Sequence, residues 1–565
     1  MATLIIYRAP QFNKQIHLKV VGLKDSAFHK IESVEYNLFI GESSKKPART
    51  VTKDAPNFLA CSFTDISHKG NEKYYGTCKI NYHDATKETE LKSTNMEIIN
   101  FNFNHPDVKK IPETNVDNKP YVTRRKDIDK YKGVEKVYIS ILFKKNGFDN
   151  FKNDSTLAAY NRVKPRVLLQ ETYTEKERSN NNLGRFAYHA TIKGDLTKEE
   201  MIDITEELAS RDDVIFAVLT PDFEGYEPKL PKSVETEELK NFSIDLKSTD
   251  TPDFEDKQWY LKKSRPTLRG LNVINAWSKT TGHAATIRLA EGGLREDHED
   301  LEGNVIVVKN ADNWQIQNNH ATACCGIMAA TKNGYGMTGI AHNASTYFYN
   351  LKDGLGEVLR DVSPGDVISV SLGWPGEIDL PLVVDRSWWE DIREVTNKGG
   401  LFVLAAGNGG TNISDAFENG DAEDFGDCGV FLAGGCDSRE GTRDPLSNYN
   451  YHSSYVNAGF GFIMSTGYGT SVANGYGESH GINSYVLGSL SGTSFSTPQC
   501  AASFALIQSY AMEKYNIFFN REEMLAILME TGVKDALEDK IGYRPDVDEA
   551  LSYIDRKVSE TLVSG

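Results

Sequence analysis

Four short segments of this 565-residue chain combine the residue types that acyl transfer needs. In SGTSFSTPQCAAS (491–503) a turn of small residues places Ser494 at the mouth of a helix that continues through Cys500, Ala501 and Ala502. A helix N-terminus offers unpaired N–H groups and positive potential. Both favour the oxyanion that forms when a hydroxyl attacks a carbonyl. Pro498 falls within the first turn, where its missing N–H costs little. In NNHATACCGIMAA (318–330) His320 opens a helix of small residues that can pack closely on a sheet. In LFVLAAGNGG (401–410) an apolar strand runs into Gly407 and Asn408, so the Asn amide projects from the strand's carboxyl end, where open α/β sheets bind ligands. In TIRLAEGGLREDHEDL (286–301) a strand ends in Glu291, followed by two glycines. Taken singly, each segment has a plainer reading: a helix cap, a surface histidine, a turn, a strand with surface charges.

These residues need a framework, and the surrounding pattern supplies one. From residue 257 to 565 apolar runs alternate with helical segments. Strands are expected at 285–290, 345–349, 366–371, 400–405 and 430–434, with helices from His320, over 383–397, from Ser494 and over 521–530. Val367–Val370 and Leu401–Ala405 are near-continuous apolar runs, as in strands buried on both faces of a parallel sheet. The expected fold is a doubly wound, mostly parallel α/β domain.

Residues 119–225 read as β-α-β-β-α-β, a ferredoxin-like order. The strands are Lys136–Phe143, Arg166–Tyr173, Arg185–Gly194 and Asp213–Thr220, and the helices Asp154–Val163 and Thr197–Arg211. In the second helix Thr197 and Glu200 have the spacing of a capping box. Residues 1–118 read as β-rich, with strands at Thr3–Tyr7, Gln15–Val21, Val34–Ile40 and Met96–Phe103. A small sandwich is expected there. Residues 226–256 are polar, proline-bearing and aperiodic, and read as a linker.

Composition narrows the class. The net charge of −17 argues against nucleic acid as a partner, because phosphate binding needs clustered Lys and Arg. No apolar run has the length of a membrane span. The first apolar run, Leu4–Tyr7, ends at Arg8 and is too short for a secretory signal. Seven cysteines, an odd number without zinc spacing, fit reduced thiols in the cytoplasm. The alternative is export without a cleaved signal peptide.

Together, in this order, the segments resemble the subtilase family of serine peptidases. Gly492, Thr493, Ser494, Thr497 and Pro498 match its serine motif, and His320, Thr322 and Gly326 its histidine motif. GMTGIAHNASTYFYN (336–350) continues like the family, and GYRPDVDEAL (542–551) is similar to its last helix. The resemblance covers roughly 255–555. It implies Ser494 as nucleophile, His320 as general base and Asn408 as oxyanion donor. It also implies a substrate cleft lined by Ser371, Leu372 and Gly373 on one side and Ala405, Ala406 and Gly407 on the other.

The family's acid is Asp, whereas this chain has Glu291. A Ser-His-Glu triad, a different acid such as Asp297 or Asp312, and a weakened enzyme acting as a binding or scaffold module all remain open. The chemistry needs no cofactor. Structural calcium is compatible with the family, though no ligands are identified. The implied partner is a protein or peptide substrate; the β-rich domain suggests a further partner without naming it. The stretch between Gly399 and Asp437 has no Lys or Arg but holds Asp415, Glu418, Asp421, Glu423, Asp424 and Asp427. That reads either as a preference for a basic residue before the cut or as a solvated or calcium-binding loop. The 119–225 block resembles the family's propeptide, either cut off within 224–256 or retained as a regulator.

Overall fold

The chain is described by a computed structural model that covers all residues except 43, 55–57, 69–70, 85–86, 112–119, 146, 153–167, 179–182, 224–250, 267, 313–318, 378, 419–425, 438–440, 450–454, 467–484, 491, 535–540 and 565. Val34, Tyr36 and Leu38 are fully buried while the residues between them are partly exposed, the alternation of a strand with one face on a core. Strands β1 (Thr3–Tyr7), β2 (Ile16–Val21), β3 (Ile31–Ile40), β4 (Arg49–Asp54), β5 (Ala60–Phe63), β6 (Lys73–Tyr82), β7 (Glu88–Lys92) and β8 (Met96–Glu97) form two antiparallel sheets. Their orders are β1-β2-β5 and β4-β3-β6-β7, with β8 on β6. Gly76 of β6 lies under Leu18 of β2, where a Cβ would come within 2.3 Å of the leucine, so the sheets face each other closely. The strand expected over Met96–Phe103 stops at Glu97. Phe101 and Phe103 instead enter the core of the C-terminal domain, with the ring of Phe103 4.8 Å from that of Phe519.

The next module contains β9 (Tyr121–Val122), β10 (Val137–Phe143), β11 (Leu168–Glu171), β12 (His189–Lys193) and β13 (Val214–Pro221), in the order β11-β12-β10-β13-β9. Helix α1 spans Gly147–Lys152 and α2 Lys198–Leu208. The capping box forms as expected: Glu200 N–H donates to Thr197 Oγ1 and Thr197 N–H to the Glu200 carboxylate. Met201, Ile204 and Leu208 face the core. The helix expected at Asp154–Val163 and most of the expected linker lie outside the described residues.

The C-terminal domain is built on β14 (Thr286–Glu291), β15 (Val305–Lys309), β16 (Ser345–Asn350), β17 (Val367–Val370), β18 (Leu401–Ala405), β19 (Phe431–Asp437), β20 (Tyr455–Thr466), β21 (Tyr485–Leu490), β22 (Val533–Lys534) and β23 (Tyr543–Arg544). The sheet order is β15-β16-β14-β17-β18-β19-β20-β23-β22. The run from β15 to β20 is parallel throughout, and β21 returns antiparallel on β20. Its helices include α3 (Asn319–Ala329), α4 (Gly356–Asp361), α5 (Arg386–Asn397), α6 (Thr493–Tyr515), α7 (Arg521–Thr531) and α8 (Val547–Ser564). The helix expected from 383 starts at Arg386, because Leu382–Val384 makes a 3₁₀ turn and Asp385 caps α5. The chain leaves β14 towards β16 on one side and returns as β17 on the other, so β14 marks the topological switch point, where such sheets open a crevice.

The ferredoxin-like module rests on α4 and α5. Tyr173 O–H donates to Gly356 O at 2.7 Å, the hydroxyls of Thr220 and Ser387 are 2.9 Å apart, and Phe223 meets Trp388 edge to face. The N-terminal sandwich covers the amino edge of the parallel sheet. Gly22 N–H donates to the Oγ of Ser345, the first residue of β16, and Val307 N–H donates to Asp25. Lys19 pairs with Asp366, which immediately precedes β17 and also accepts from Arg288 Nε at 2.7 Å.

This buried triad predicts an asymmetry. Lys19→Met leaves the Arg288–Asp366 pair intact and should lower stability by no more than about 1–2 kcal/mol. Asp366→Asn strands two buried cations and should lower it by about 3–5 kcal/mol. Urea unfolding of the two variants beside the wild type checks this; equal midpoints for the variants would contradict it.

Candidate active site

Glu291 ends β14 at the carboxyl edge and is 1 % exposed. Its Oε1 accepts the N–H of Ser371 at 2.9 Å, which fixes the carboxylate between β14 and the segment after β17. Its Oε2 lies 3.4 Å from Nδ1 of His320, the second residue of α3. That separation is long for a hydrogen bond, as is common before substrate closes a site. Of the three acids considered, Glu291 is the one beside His320. Asp297 is forked by Arg295, and Asp312 is exposed, 3.9 Å from Lys352.

Ser494 is the second residue of α6, 7 % exposed, with its backbone at the helix mouth. Gly492 precedes it at φ +126°, a backbone state that favours glycine. The starts of α3 and α6 meet here. The His320 ring is 5.7 Å from that of Phe495, next to Ser494, and Cys324, one turn below His320, donates its S–H to Ser494 O at 3.5 Å. Burial and the nearby Glu291 push the Cys324 thiol well up, so it stays protonated. Glu291, His320 and Cys324 form the one group of three metal-ligand types that converges among the described residues. Asp427, from the acidic stretch, is committed to Arg521 at 2.6 Å.

Asn408 follows β18 through Ala406 and Gly407. Its Oδ1 accepts from Thr493 N–H at 2.8 Å and from Thr493 Oγ1 at 3.2 Å. Those bonds define the amide's orientation: Oδ1 accepts from Thr493, and Nδ2 is left as a donor. Ser371, Leu372 and Gly373 continue from β17, alongside Ala405, Ala406 and Gly407 from β18, because Val370 is paired with Leu404. The two segments form adjoining walls.

One residue escaped sequence reasoning. The chain after Gly373 folds back, with Trp374 N–H donating to Leu380 O at 2.7 Å. This return brings Asp379 onto Asn408. Asp379 Oδ2 accepts both Asn408 N–H (3.0 Å) and Asn408 Nδ2–H (3.1 Å). A Cβ on Gly373 would come within 2.1 Å of Asp379 Oδ1. The available signal was an acid six residues beyond Gly373, the last of the residues assigned to the cleft.

Residues 242–544 match the model of the "Subtilase family". Thermitase of Thermoactinomyces vulgaris is 30% identical over 268 residues, covering 44% of this chain and 83% of that protein. An intracellular serine protease of Paenibacillus polymyxa is 25% identical, covering 46% and 79%. Furin of Mus musculus is 31% identical over 184 residues, covering 27% of this chain and 22% of furin's length. Among solved structures, a serine protease of Aeromonas sobria in complex with its chaperone aligns at TM-score 0.41 and 17% identity, over 54% of this chain and 67% of that one. Among the described residues no helix is long and apolar enough to cross a membrane.

Proposed function

The chain belongs to the subtilase family and is a serine endopeptidase; from that premise we propose that Ser494, His320, Glu291 and Asn408 carry peptide-bond hydrolysis through an acyl-enzyme. The reading rests on one observation: a carboxylate and an imidazole held 3.4 Å apart at the sheet's switch point, beside the helix that Ser494 opens.

His320 takes the Ser494 proton as the oxygen attacks the substrate carbonyl, then gives it to the leaving amine. Glu291, on Nδ1, orients the ring and stabilises its cationic form. Asn408 Nδ2 and the Ser494 N–H hold the oxyanion. Water then repeats the sequence to release the acyl group. The docking of the 119–223 module on α4 and α5, beside the segment that enters the cleft, supports a self-restrained precursor, with 224–256 as the stretch where cutting would free it. Trp374, at the base of the cleft loop, donates Nε1–H to Lys130 O of the module at 3.0 Å.

A serine-reactive phosphonate is expected to add one mass equivalent to the wild type and none to Ser494→Ala. A folded wild type that takes no label and cleaves no peptide in a library would defeat the reading. Asn408→Ala should lower kcat by about 100- to 1,000-fold with KM little changed. Steady-state kinetics on a single peptide checks this.

A further inference from the structure

We propose that Asp379 is a built-in occupant of the oxyanion site, which a cationic side chain of the substrate draws away, so that Asp379 sets substrate choice. The proposal rests on the peptidase reading above and goes beyond it.

Three observations carry it. First, one carboxylate oxygen takes both the main-chain and side-chain N–H of the residue that would stabilise the oxyanion. A carboxylate thus already occupies the amide donor that an oxyanion would need. Two anions on one donor repel, most strongly where water is excluded. The site therefore becomes competent when this carboxylate is withdrawn or neutralised. Second, the groups acting on Asp379 are its own burial, which pushes the carboxyl up, and the two Asn408 donors; no Lys or Arg pairs with it among the described residues. A half-buried carboxylate with two neutral donors and no paired cation still favours one. Third, its backbone is pinned. Asn448 Nδ2 donates to Asp379 O at 2.6 Å and to Ala406 O at 2.8 Å. Withdrawal is thus a rotation of the side chain over a fixed main chain.

In this proposal the substrate residue whose carbonyl meets Asn408 brings its side chain towards Asp379, which holds the same donor. A Lys or Arg at that position makes a charge-assisted pair with the carboxylate and frees Asn408 in the same movement. A neutral side chain leaves the donor occupied. This places charge selection in the fold-back loop after Gly373 and not in the acidic stretch 415–427.

The test compares wild type, Asp379→Asn and Asp379→Ala, using peptides that differ only in Arg or Phe before the cut and a small neutral phosphonate. Thermal unfolding establishes that each variant is folded. The expected result for both variants is at least a tenfold fall in the Arg-to-Phe ratio of kcat/KM, together with faster phosphonate labelling of Ser494, because the donor is free. A merely structural role would slow both peptides and the labelling together. An unchanged ratio and labelling rate, or a uniform loss, in whichever variant folds overturns the proposal. Wild type that neither labels nor cleaves overturns the peptidase reading itself, and this inference with it.

Discussion

Replacing Ser494 with Ala is expected to lower kcat for peptide hydrolysis by about 10⁶-fold, the magnitude known for the triad serine of subtilisin itself, while leaving a residue of about 10³–10⁴ over water. The loss is large because the hydroxyl is the only group at the mouth of α6 that forms the acyl bond. The residue persists because the helix N-terminus and Asn408 still meet a carbonyl that a water molecule attacks. Stability should change little. The Ser494 side chain makes no structural bond among those described, and its backbone O continues to accept from Cys324. Single-turnover assays at high enzyme concentration, with matched thermal unfolding, test both halves. A loss of activity accompanied by unfolding would point to a structural role instead.

Glu291→Gln is expected to lower kcat by about 10⁴-fold, the effect of the equivalent neutral replacement of a triad acid. The amide keeps the shape and can still accept Ser371 N–H. It removes the negative charge that stabilises the imidazolium, and its NH₂ group can favour the wrong ring tautomer. Glu291→Asp should do less harm, because charge is retained, but the shorter side chain stretches a contact that is already 3.4 Å. The ordering wild type, then Asp, then Gln, read as kcat across the pH range, separates a charge role from a packing role. If Gln equals wild type, another acid serves His320. Glu291 is thus an adjusted member of the site: its extra methylene is accommodated by the Ser371 N–H, which holds the carboxylate against the end of β17.

The parts legible in the sequence were those governed by local physics. Val367–Val370 and Leu401–Ala405 are near-continuous apolar runs of strand length, as central strands are. Thr197 and Glu200 cap α2 through bonds three residues apart. Ser494, His320, Glu291 and Asn408 each stand at the end of such an element, so their approach follows from parallel strands and short turns. Other features depended on contacts between residues distant in sequence. Asp379 reaches Asn408 because Asn448, 69 positions on, holds its carbonyl. The place of the N-terminal sandwich depends on Lys19 and Asp366, 347 positions apart. Phe101 and Phe103 look like the end of a strand, yet they fill a gap in another domain's core. Strand β20, YVNAGFGFIMST, has glycines and polar residues that blur any period, so neither it nor β21 was expected.

The seam between the first strand and the end of α6 has a consequence for timing. Arg8 N–H donates to Asn516 O, and Asn516 Nδ2–H donates to Ile6 O across 510 positions. Residues Ile6 and Arg8 therefore wait for a partner made about five hundred positions later. Contacts of such high sequence separation form slowly, and a chain made at about 5–20 residues per second spends most of its synthesis without them. The helix that carries Ser494 is tied down at its far end only when that seam closes. Assembly order thus leaves the helix that carries Ser494 unanchored at its far end until Asn516 has been made, well after the 119–223 module.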